Sequence, residues 1–565
     1  MRFAWQDPPE DSAVRVVDRI LHARGLWAER DDFLAPSLRH LHDPSALGDM
    51  DRACERLLLA ARAGERIVVY ADYDADGVTA CSILVRALLA LVPQARISTY
   101  VPHRLDEGYG LNPAAVAALA DDGARVIVSV DCGITAFEPA LEARRRGIDL
   151  IITDHHAPRP GELPDAFAIV HPALPGSSYP FPDLSGAGVA FKVAWRLGTM
   201  GFGREQVAED YRRVLMDLLA PAALGIIADV VPLRGENRTI SRFGLARMTS
   251  TSLVGLNALA AASGLASGNL RAEDVGFRLA PRLNACGRLA HAREAIELFT
   301  TDNPERARAI ARFLCEQNEA RRRIEGEILD QAAQDAAPFV DRAEPALVLA
   351  REGWHAGVVG IVCSRLVERF ARPVLLLQQG EDGYHGSGRS VEGFNLHDAL
   401  HACRETLSSY GGHEMAAGLR VEPHRFESFR EAFLAEAGRR MSGRAFVHTL
   451  RPDTRSSLAE LTPGAGEDLE RLGPFGRSNP RPILRIDDAA LDEAPAPLGT
   501  TGRHARLMLR QGGASIRVVA WGWLDDLRGL RRGMRVDAMV TPTLSHWNGS
   551  RRMEAELRDL RVRGA

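Results

Sequence analysis

Three short motifs carry side chains that can bind a metal ion. They are Asp72-Tyr73-Asp74-Ala75-Asp76-Gly77, Asp131 in VDCG, and Asp154-His155-His156. Carboxylates at i, i+2 and i+4 repel one another unless a cation lies among them. Hard oxygen ligands on a loop suit Mg²⁺ or Mn²⁺. The first motif therefore predicts a metal-binding loop, with an acidic surface turn as the alternative.

A fourth motif adds one more carboxylate. Asp229 is the single acidic residue of the apolar run at 224–233. A carboxylate in such a run has to be paired or bound to metal to offset its desolvation. Together the four motifs supply enough Asp and His for two metal ions about 3.5–4 Å apart, an arrangement used in phosphoester hydrolysis.

The motifs require a scaffold that brings them together. Short β-rich runs at 67–70, 97–101, 126–130 and 150–153 alternate with Ala-, Leu- and Arg-rich stretches of helical length. This rhythm predicts an α/β fold with a doubly wound parallel sheet. Ligands of such sheets bind beyond the carboxyl ends of the strands, where three of the four motifs lie.

The remaining chain predicts further domains. We expect an N-terminal segment (1–45), the catalytic domain (46–300), a long polar connector helix (301–340), a second, smaller α/β domain (341–440) and a C-terminal domain (441–565). In the last region, short β-like runs alternate with Gly, Pro and Asp turns, which is typical of a small β-barrel.

Composition excludes several classes of protein. The formal net charge is −4, so binding of nucleic acid through bulk positive charge is excluded, although residues 444–565 are locally basic. Every basic residue except Lys192 is Arg, whose planar fork suits phosphate. Seven scattered Cys without a CxxC pair argue against a disulfide framework or zinc ribbon. The acidic start and the lack of a long apolar stretch predict a cytoplasmic protein without a membrane span.

The motifs resemble the DHH phosphoesterase superfamily and, within it, the RecJ family of bacterial single-strand-specific 5′→3′ DNA exonucleases. Further matching motifs lie in the expected order between residues 69 and 419. They are VPHRLDEGYGLN (101–112), LSGAGVAFKVAW (184–195), LAPRLNACGRL (279–289), GWHAGVVGIVCSRL (353–366), GSGRS (386–390) and GGHEMAAGL (411–419). The resemblance implies a DHH domain, a DHH-associated second domain and a C-terminal domain like an OB fold.

The resemblance also implies roles at the metal site. The implied metal ligands are Asp72, Asp74, Asp131, His155 and Asp229, with Asp131 bridging two ions. Asp76 is either a further ligand or a supporting partner. His156 faces the scissile phosphate and, with Asp131, forms the catalytic pair, whereas Asp154 orients a histidine.

A second implied set binds DNA. Arg104, Ser387 and Arg389 correspond to a pocket for the 5′-phosphate. Tyr109 stacks on a base or, alternatively, is a half-buried core residue. His355 meets phosphate or is structural. The residues implied to track the DNA backbone are Arg278, Arg282, Asn284 and Arg288, and those implied to close over the substrate are Gly411, Gly412 and His413.

These roles imply a function and partners. The expected activity is a metal-dependent 5′→3′ exonuclease that degrades single-stranded DNA to mononucleotides in DNA recombination and repair, with two Mn²⁺ or Mg²⁺ ions as cofactors. Expected partners are single-stranded DNA with a 5′ end, a single-strand-binding protein and a repair helicase, and the chain is expected to be a monomer. The alternatives are a DHH phosphodiesterase on short oligonucleotides and a non-catalytic replication scaffold.

Overall fold

The computed structural model describes residues 3–11, 13–103, 107–203, 207–265, 268, 270–500, 502–547 and 550–564. Its contacts divide the chain into two units. The first comprises the described part of Met1–Gln6 together with Gln317–Arg451, and the second comprises Asp7–Glu316 together with Pro452–Ala565. The domain boundaries drawn from the sequence stay predictions.

The second unit begins with the predicted α/β region. Its strands, with the N-terminal strand of the first unit, are β1 (Phe3–Trp5), β2 (Arg66–Ala71), β3 (Arg96–Tyr100), β4 (Ala124–Val130), β5 (Asp149–Thr153) and β6 (Ala168–Val170). Its helices are α1 (Val16–Ala23), α2 (Arg30–Leu34), α3 (Met50–Ala63), α4 (Ala75–Leu91), α5 (Pro113–Asp121), α6 (Phe137–Arg145), α7 (Gly186–Gly201), α8 (Glu209–Ala228), α9 (Gly235–Met248), α10 (Val254–Ala262), α11 (Ala272–Asp274), α12 (Ala280–Leu289) and α13 (Arg293–Thr300).

The sheet of this α/β region is parallel and doubly wound. Its five strands lie in the order β3-β2-β4-β5-β6, and every pairing is parallel. Alternate side chains of β2 enter different cores: Val69 packs with α3, α4 and α7, and Val68 packs with α5 and α6. Both faces are covered, which explains the nearly continuous apolar runs that predicted these strands.

The connector and the first unit follow. The polar connector helix predicted at 301–340 is α14 (Pro304–Asp341), which runs through the boundary between the units. The first unit continues with β7 (Leu347–Glu352), α15 (Ala356–Phe370), β8 (Val374–Gly380), β9 (Gly383–Arg389), α16 (Leu396–Ala402), β10 (Ser409–Gly412), β11 (Ala416–Val421), α17 (Phe426–Arg440) and β12 (His448–Leu450). Its main sheet has the order β10-β11-β9-β8-β7.

The C-terminal region belongs to the second unit. It contains β13 (Thr454–Arg455), α18 (Pro463–Glu470), β14 (Leu484–Leu491), β15 (Ala496–Leu498), β16 (His504–Gln511), β17 (Ala514–Ala520), β18 (Arg535–Trp547) and β19 (Ser550–Val562). Because β14 pairs with both β18 and β16, the sheet curls back on itself as in a small barrel. Trp523 lies in the core of this barrel, whereas Trp521 is exposed and donates to Glu556.

Two expectations about the whole chain can be compared with the described residues. None of their helices combines the length and the apolar surface needed to cross a bilayer. All seven cysteines are free thiols, which agrees with the sequence-based argument against a disulfide framework.

Candidate metal centre

The parallel sheet brings the predicted motifs to one edge. Asp72 follows β2, Asp131 follows β4, and Asp154 begins the segment after β5, and these three strands are neighbours. Asp229 arrives from a different element, because it ends helix α8 as its C-cap. The residue pattern alone did not indicate which element would carry this last carboxylate.

All the predicted metal ligands meet at this edge. Three groups of side chains each have potential ligand atoms within 4.8 Å of one another. His155 lies at the centre, with its Nε2 atom 3.1 Å from Asp131 Oδ1 and 3.5 Å from Asp229 Oδ2. The groups are Asp72 with Asp74 and Asp131, Asp76 with His155 and Asp229, and Asp131 with His155 and His156.

At the centre, Asp131 Oδ1 and His155 Nε2 are buried and have no hydrogen-bond partner among the described residues. Burial lowers the pKa of His155 to about 4, so the imidazole is neutral at physiological pH. Burial, followed by the charge of Asp76, raises the pKa of Asp131 well above its usual value. Buried carboxylates crowded around a neutral imidazole form a donor set that fits a divalent metal ion, whose charge would offset the cost of burying the carboxylates.

Asp76 is held by the start of helix α7. Its Oδ1 accepts hydrogen bonds from Ser185 Oγ and the Ala187 amide, both at 3.0 Å, and its Oδ2 accepts from the Gly186 amide at 2.7 Å. Burial and the charge of Asp74 nevertheless raise the pKa of Asp76 to about 7. Both oxygens are engaged, which favours a supporting role, although Oδ2 also lies 3.9 Å from His155 Nε2.

Two glycines allow the elements to approach this closely. A Cβ at Gly186 would lie 2.5 Å from both Oδ1 and Cβ of Asp131. A Cβ at Gly225, on α8, would lie 2.4 Å from Asp76 Oδ1. The helices α7 and α8 can therefore carry no side chain where they face the buried carboxylates.

The acidic loop is fixed by caps at the start of α4. Asp74 Oδ1 accepts from the amides of Asp76 at 2.9 Å and Gly77 at 3.1 Å, which leaves its other oxygen for a metal ion. Asn284 Oδ1 accepts from the Ala75 amide at 2.7 Å. Asn284, which the sequence assigned to DNA binding, thus supports the metal loop from α12.

Asp154 orients a histidine, as the resemblance implied. Its Oδ1 lies 2.8 Å from His156 Nδ1 and also accepts from the amides of His155 and His156. Burial opposes ionisation of both partners, but their hydrogen bond and opposite charges outweigh it. The pair lowers the pKa of Asp154 to about 2 and raises that of His156 to about 9, so His156 is an imidazolium at neutral pH.

His171 is a residue that the sequence reasoning missed. It follows β6, and its Nε2 lies 2.8 Å from the His156 carbonyl oxygen while its Nδ1 accepts from the Ala173 amide. These bonds fix a neutral tautomer, and burial lowers the pKa of His171 in agreement with that state. His171 could have been identified from the sequence as a fourth polar side chain that directly follows a strand.

Tyr109 lies over the ring of His156. Its hydroxyl is 3.3 Å from His156 Nε2 and 3.5 Å from the Asp131 carbonyl oxygen. The side chain is 53% exposed and meets the ring of Tyr73 edge to face. It is therefore not a half-buried core residue, and its exposed ring is available to a ligand. Arg104 lies outside the described residues.

The arginines around Asn284 are engaged with the protein. Arg278 donates to the carbonyl oxygens of Ser263 and Gly264, and Arg282 Nε donates to Cys315 Sγ at 3.2 Å. Arg288 is half-buried near the end of α12. Their assignment to the DNA backbone stays a prediction.

The first unit holds the other predicted DNA-binding residues. A cavity of about 380 Å³ is lined by Ser387 and Gly411 and also by His385, Tyr410 and Arg420, which the sequence reasoning did not single out. The sequence feature that could have identified Arg420 is its position directly after the glycine-rich motif, and the structure places it on β11.

The other predicted residues of this unit end a strand, cap a helix or lie at a turn. Arg389 ends β9 and donates to the Gly388 carbonyl oxygen. His355 caps α15 by accepting from the Gly357 amide. Gly412 and His413 are exposed at the turn between β10 and β11. The cavity thus combines a hydroxyl, a guanidinium and open glycine backbone, groups that suit phosphate.

Comparison with known proteins gives concordant matches. The family models for the DHH family, N-terminal domain, the DHHA1 domain and the RecJ OB domain match residues 66–226, 343–438 and 452–559. The chain is 35% identical over 579 residues to the single-stranded-DNA-specific exonuclease RecJ of Bacillus subtilis (strain 168), covering 100% of this chain and 71% of that protein.

The same similarity appears among solved structures. RecJ from Thermus thermophilus in complex with Mn²⁺ matches with a TM-score of 0.83 and 32% identity, covering 100% of this chain and 80% of that chain. The complex of the same protein with Mg²⁺ matches with a TM-score of 0.77 and 31% identity, covering 100% of this chain and 79% of that chain.

Proposed function

The chain belongs to the RecJ family of single-stranded-DNA-specific exonucleases, and from this premise we propose that it is a metal-dependent exonuclease that degrades single-stranded DNA from the 5′ end to mononucleotides in DNA recombination and repair. One observation carries the proposal. Asp131 Oδ1 and His155 Nε2 face each other at 3.1 Å, buried and without hydrogen bonds, among further carboxylates.

Five residues are proposed to hold two Mn²⁺ or Mg²⁺ ions. They are Asp72, Asp74, Asp131, His155 and Asp229. Asp131 and His155 each belong to two of the three groups, and Asp131 is proposed as the shared ligand because a carboxylate has two oxygens to offer. Carboxylate oxygens suit both ions, and the neutral imidazole of His155 adds a nitrogen donor. When bound, two such ions activate a water molecule and stabilise the charge that develops on the phosphoryl group.

His156 is proposed to act on the scissile phosphate. Asp154 holds Nδ1, so Nε2 is the ring nitrogen left for a substrate. As an imidazolium it can donate a hydrogen bond to a phosphate oxygen. Hydrolysis adds the oxygen of water to phosphorus and breaks the bond from phosphorus to O3′, which leaves as a hydroxyl. The shortened strand then keeps a 5′-phosphate for the next cycle.

The cavity of the first unit is proposed to bind that terminal phosphate. Ser387 and Arg420 line it, and the open backbone of Gly411 allows close approach. Arg389 adds a second guanidinium from the same strand as Ser387. Such charge-assisted contacts distinguish a phosphorylated 5′ end from a hydroxyl and give digestion its polarity.

The family also supports finer proposals about partners and location. We propose that a single-strand-binding protein and a repair helicase present the DNA, and that the chain acts as a monomer in the cytoplasm. The seven free cysteines support a reducing compartment. Size-exclusion chromatography with light scattering tests the monomer, and co-purification from cells tests the partners.

Two alternatives make different predictions. A phosphodiesterase for short oligonucleotides would prefer substrates of a few nucleotides, and a non-catalytic scaffold would leave all strands intact. The intact ligand set opposes the scaffold, and the additional domain that matches the RecJ OB domain favours longer strands over short ones.

The decisive test uses the full chain and end-labelled oligonucleotides. Single- and double-stranded substrates carrying a 5′ or a 3′ label are digested in Mn²⁺ or in EDTA. Immediate release of the 5′ label as a mononucleotide, only from single strands and only with metal, is the expected result. Early release of the 3′ label, or cleavage in EDTA, contradicts the proposal.

A further inference from the structure

A segment of the C-terminal region docks beside the metal centre. Within the second unit, the backbone of residues 471–478, here called the docking segment, accepts hydrogen bonds from three arginines spaced four residues apart. Arg234 donates to the Ser478 carbonyl oxygen, Arg238 to those of Arg471 and Leu472, and Arg242 to that of Gly473. Residues at i, i+4 and i+8 share one face of a helix, so the start of α9 presents a continuous donor surface.

The position of Arg477 within this segment is fixed from its backbone. The Leu233 amide donates to the Arg477 carbonyl oxygen at 2.9 Å. Asn479 closes the turn by donating to the carbonyl oxygens of Leu472 and Pro474, and it pairs with Gly476 in an isolated bridge. A Cβ at Gly476 would lie only 2.7 Å from a methyl carbon of Leu233, so the two chains pass in close contact.

The Arg477 side chain extends toward the acidic edge of the centre. Its Nη1 donates to the Val230 carbonyl oxygen at 3.4 Å, and Val230 directly follows the proposed ligand Asp229. Val230 is 56% exposed and has a φ of 60°, a conformation that a β-branched residue rarely adopts. The chain therefore turns sharply after Asp229, and the turn is held by a contact from the docking segment.

Arg477 differs from its neighbours because no described carboxylate lies within ion-pair distance of it, although its positive charge acts on Asp229. Arg471 lies 3.6 Å from Asp468, and Arg481 lies 2.5 Å from Glu273. Among the described residues Arg477 forms no ion pair, and its side chain is exposed. A guanidinium with one weak backbone contact keeps most of its five donors for a ligand.

We propose that Arg477 binds a backbone phosphate of the DNA strand at the Asp229 edge of the metal centre, so that the C-terminal region contributes a substrate-binding residue to the active site. The proposal rests on the proposed nuclease function. The edge is otherwise acidic, and a phosphodiester arriving there needs a cation beside it. A planar guanidinium meets two phosphate oxygens at once.

The test compares Arg477→Ala with Arg471→Ala, a matched control in the same segment. Loss of a charge-assisted contact should lower kcat/KM on a 5′-phosphorylated single strand ~10- to 100-fold in Arg477→Ala. Arg471→Ala should stay close to wild type. Arg477→Lys keeps the charge without the fork and should fall between them. Equal activities of the two alanine variants overturn the proposal.

A second readout separates binding from folding and from chemistry. Affinity for a fluorescent single strand, measured in Ca²⁺ over a range of salt, should fall in Arg477→Ala, and its salt slope should become shallower by ~0.7 for one lost phosphate contact. An unchanged slope, or a loss of thermal stability that explains the loss of activity and is not recovered by Arg477→Lys, makes the residue structural. If wild type binds DNA through Arg477 but cleaves nothing, the nuclease function fails and this inference stands.

Discussion

Gly186→Ala should disable the metal centre through a single methyl group. The new Cβ would lie 2.5 Å from Asp131 Oδ1 and Cβ, whereas carbon atoms in contact are normally ~3.5–4.0 Å apart. Asp131 or the start of α7 must therefore move by about 1 Å. Asp131 is buried at a φ of 61°, and α7 is anchored to Asp76 through the Gly186 amide, so neither can move freely.

The expected consequences follow from that displacement. A shift of about 1 Å in a reacting group can cost ~100-fold in rate, so kcat/KM in saturating Mn²⁺ should fall by about that factor. Overpacking of a buried site should also cost ~1–3 kcal/mol of unfolding free energy, partly offset by the better helix propensity of Ala. Urea unfolding measures the second quantity, and a discontinuous nuclease assay measures the first.

A matched variant isolates the cause. A Cβ at Gly276 would meet nothing within 4 Å, so Gly276→Ala makes the same chemical change at a site with open space. This control should keep its kcat/KM and its stability. Activity close to wild type in Gly186→Ala would refute the argument, because it would mean that the position of Asp131 is not critical to the reaction.

Other substitutions test separate parts of the structure. Asp131→Ala should abolish hydrolysis in Mn²⁺ with far-ultraviolet circular dichroism unchanged, because it removes the donor shared by two ligand groups; near wild-type turnover would contradict the two-metal assignment. Arg389→Ala should lower kcat/KM ~10- to 100-fold, or ~1.5–3 kcal/mol, on 5′-phosphorylated strands and much less on 5′-hydroxyl strands; an equal loss on both would place its contact elsewhere on the DNA. Lys192→Met should reduce the unfolding free energy by ~3–5 kcal/mol, because the buried Glu236 carboxylate loses its cationic partner and keeps only hydrogen bonds from Tyr179 and the His42 amide. Adding Glu236→Gln should restore part of the loss, and urea unfolding that shows no loss would contradict the prediction.

The sequence predicts the catalytic sheet well because the relevant signals are local. Short β-rich runs marked four of the five strands, and the observed bounds, such as Arg66–Ala71 for β2, differ by only a few residues. The short strand β6 was not predicted. Of the proposed metal ligands, Asp72 and Asp131 each follow one of these strands directly, and His155 is the second residue after the end of β5. In a parallel sheet, this local property is enough to bring them to one edge.

The partners of those ligands could not be predicted in the same way. The Asp76 carboxylate accepts hydrogen bonds from the Ser185 hydroxyl and the amides of Gly186 and Ala187, which lie more than a hundred residues further along the chain. No periodic pattern connects a carboxylate with the amides of a distant helix start. The role of Asn284 as a support for the loop is equally non-local, and so its amide was assigned to DNA.

The C-terminal strands show a different limit. The last strand, Ser550–Val562, was not predicted as a strand although Met553, Ala555 and Leu557 alternate toward the barrel core. Charged residues occupy the positions between and after them, which lowers the local β-propensity of the run. Its long pairing with Arg535–Trp547 supplies the stability that the local sequence lacks.

The basic character of the C-terminal region also needs the structure for its interpretation. Many of its arginines are neutralised within the protein: Arg485 meets Asp7, Arg535 meets Asp488, and Arg563 meets Asp537. The net charge of the region includes these arginines as if they were available to bind DNA, but a phosphate would have to displace a carboxylate from each of them. Surface ion pairs are weak, so such exchange is feasible, yet it gives no preference for one position. Within the described part of the chain, Arg477, beside the carboxylates of the metal centre, is a cation without an ion-paired carboxylate that a phosphate would have to displace. A local contact of this kind determines the position of a DNA strand more effectively than an excess of positive charge spread over the domain.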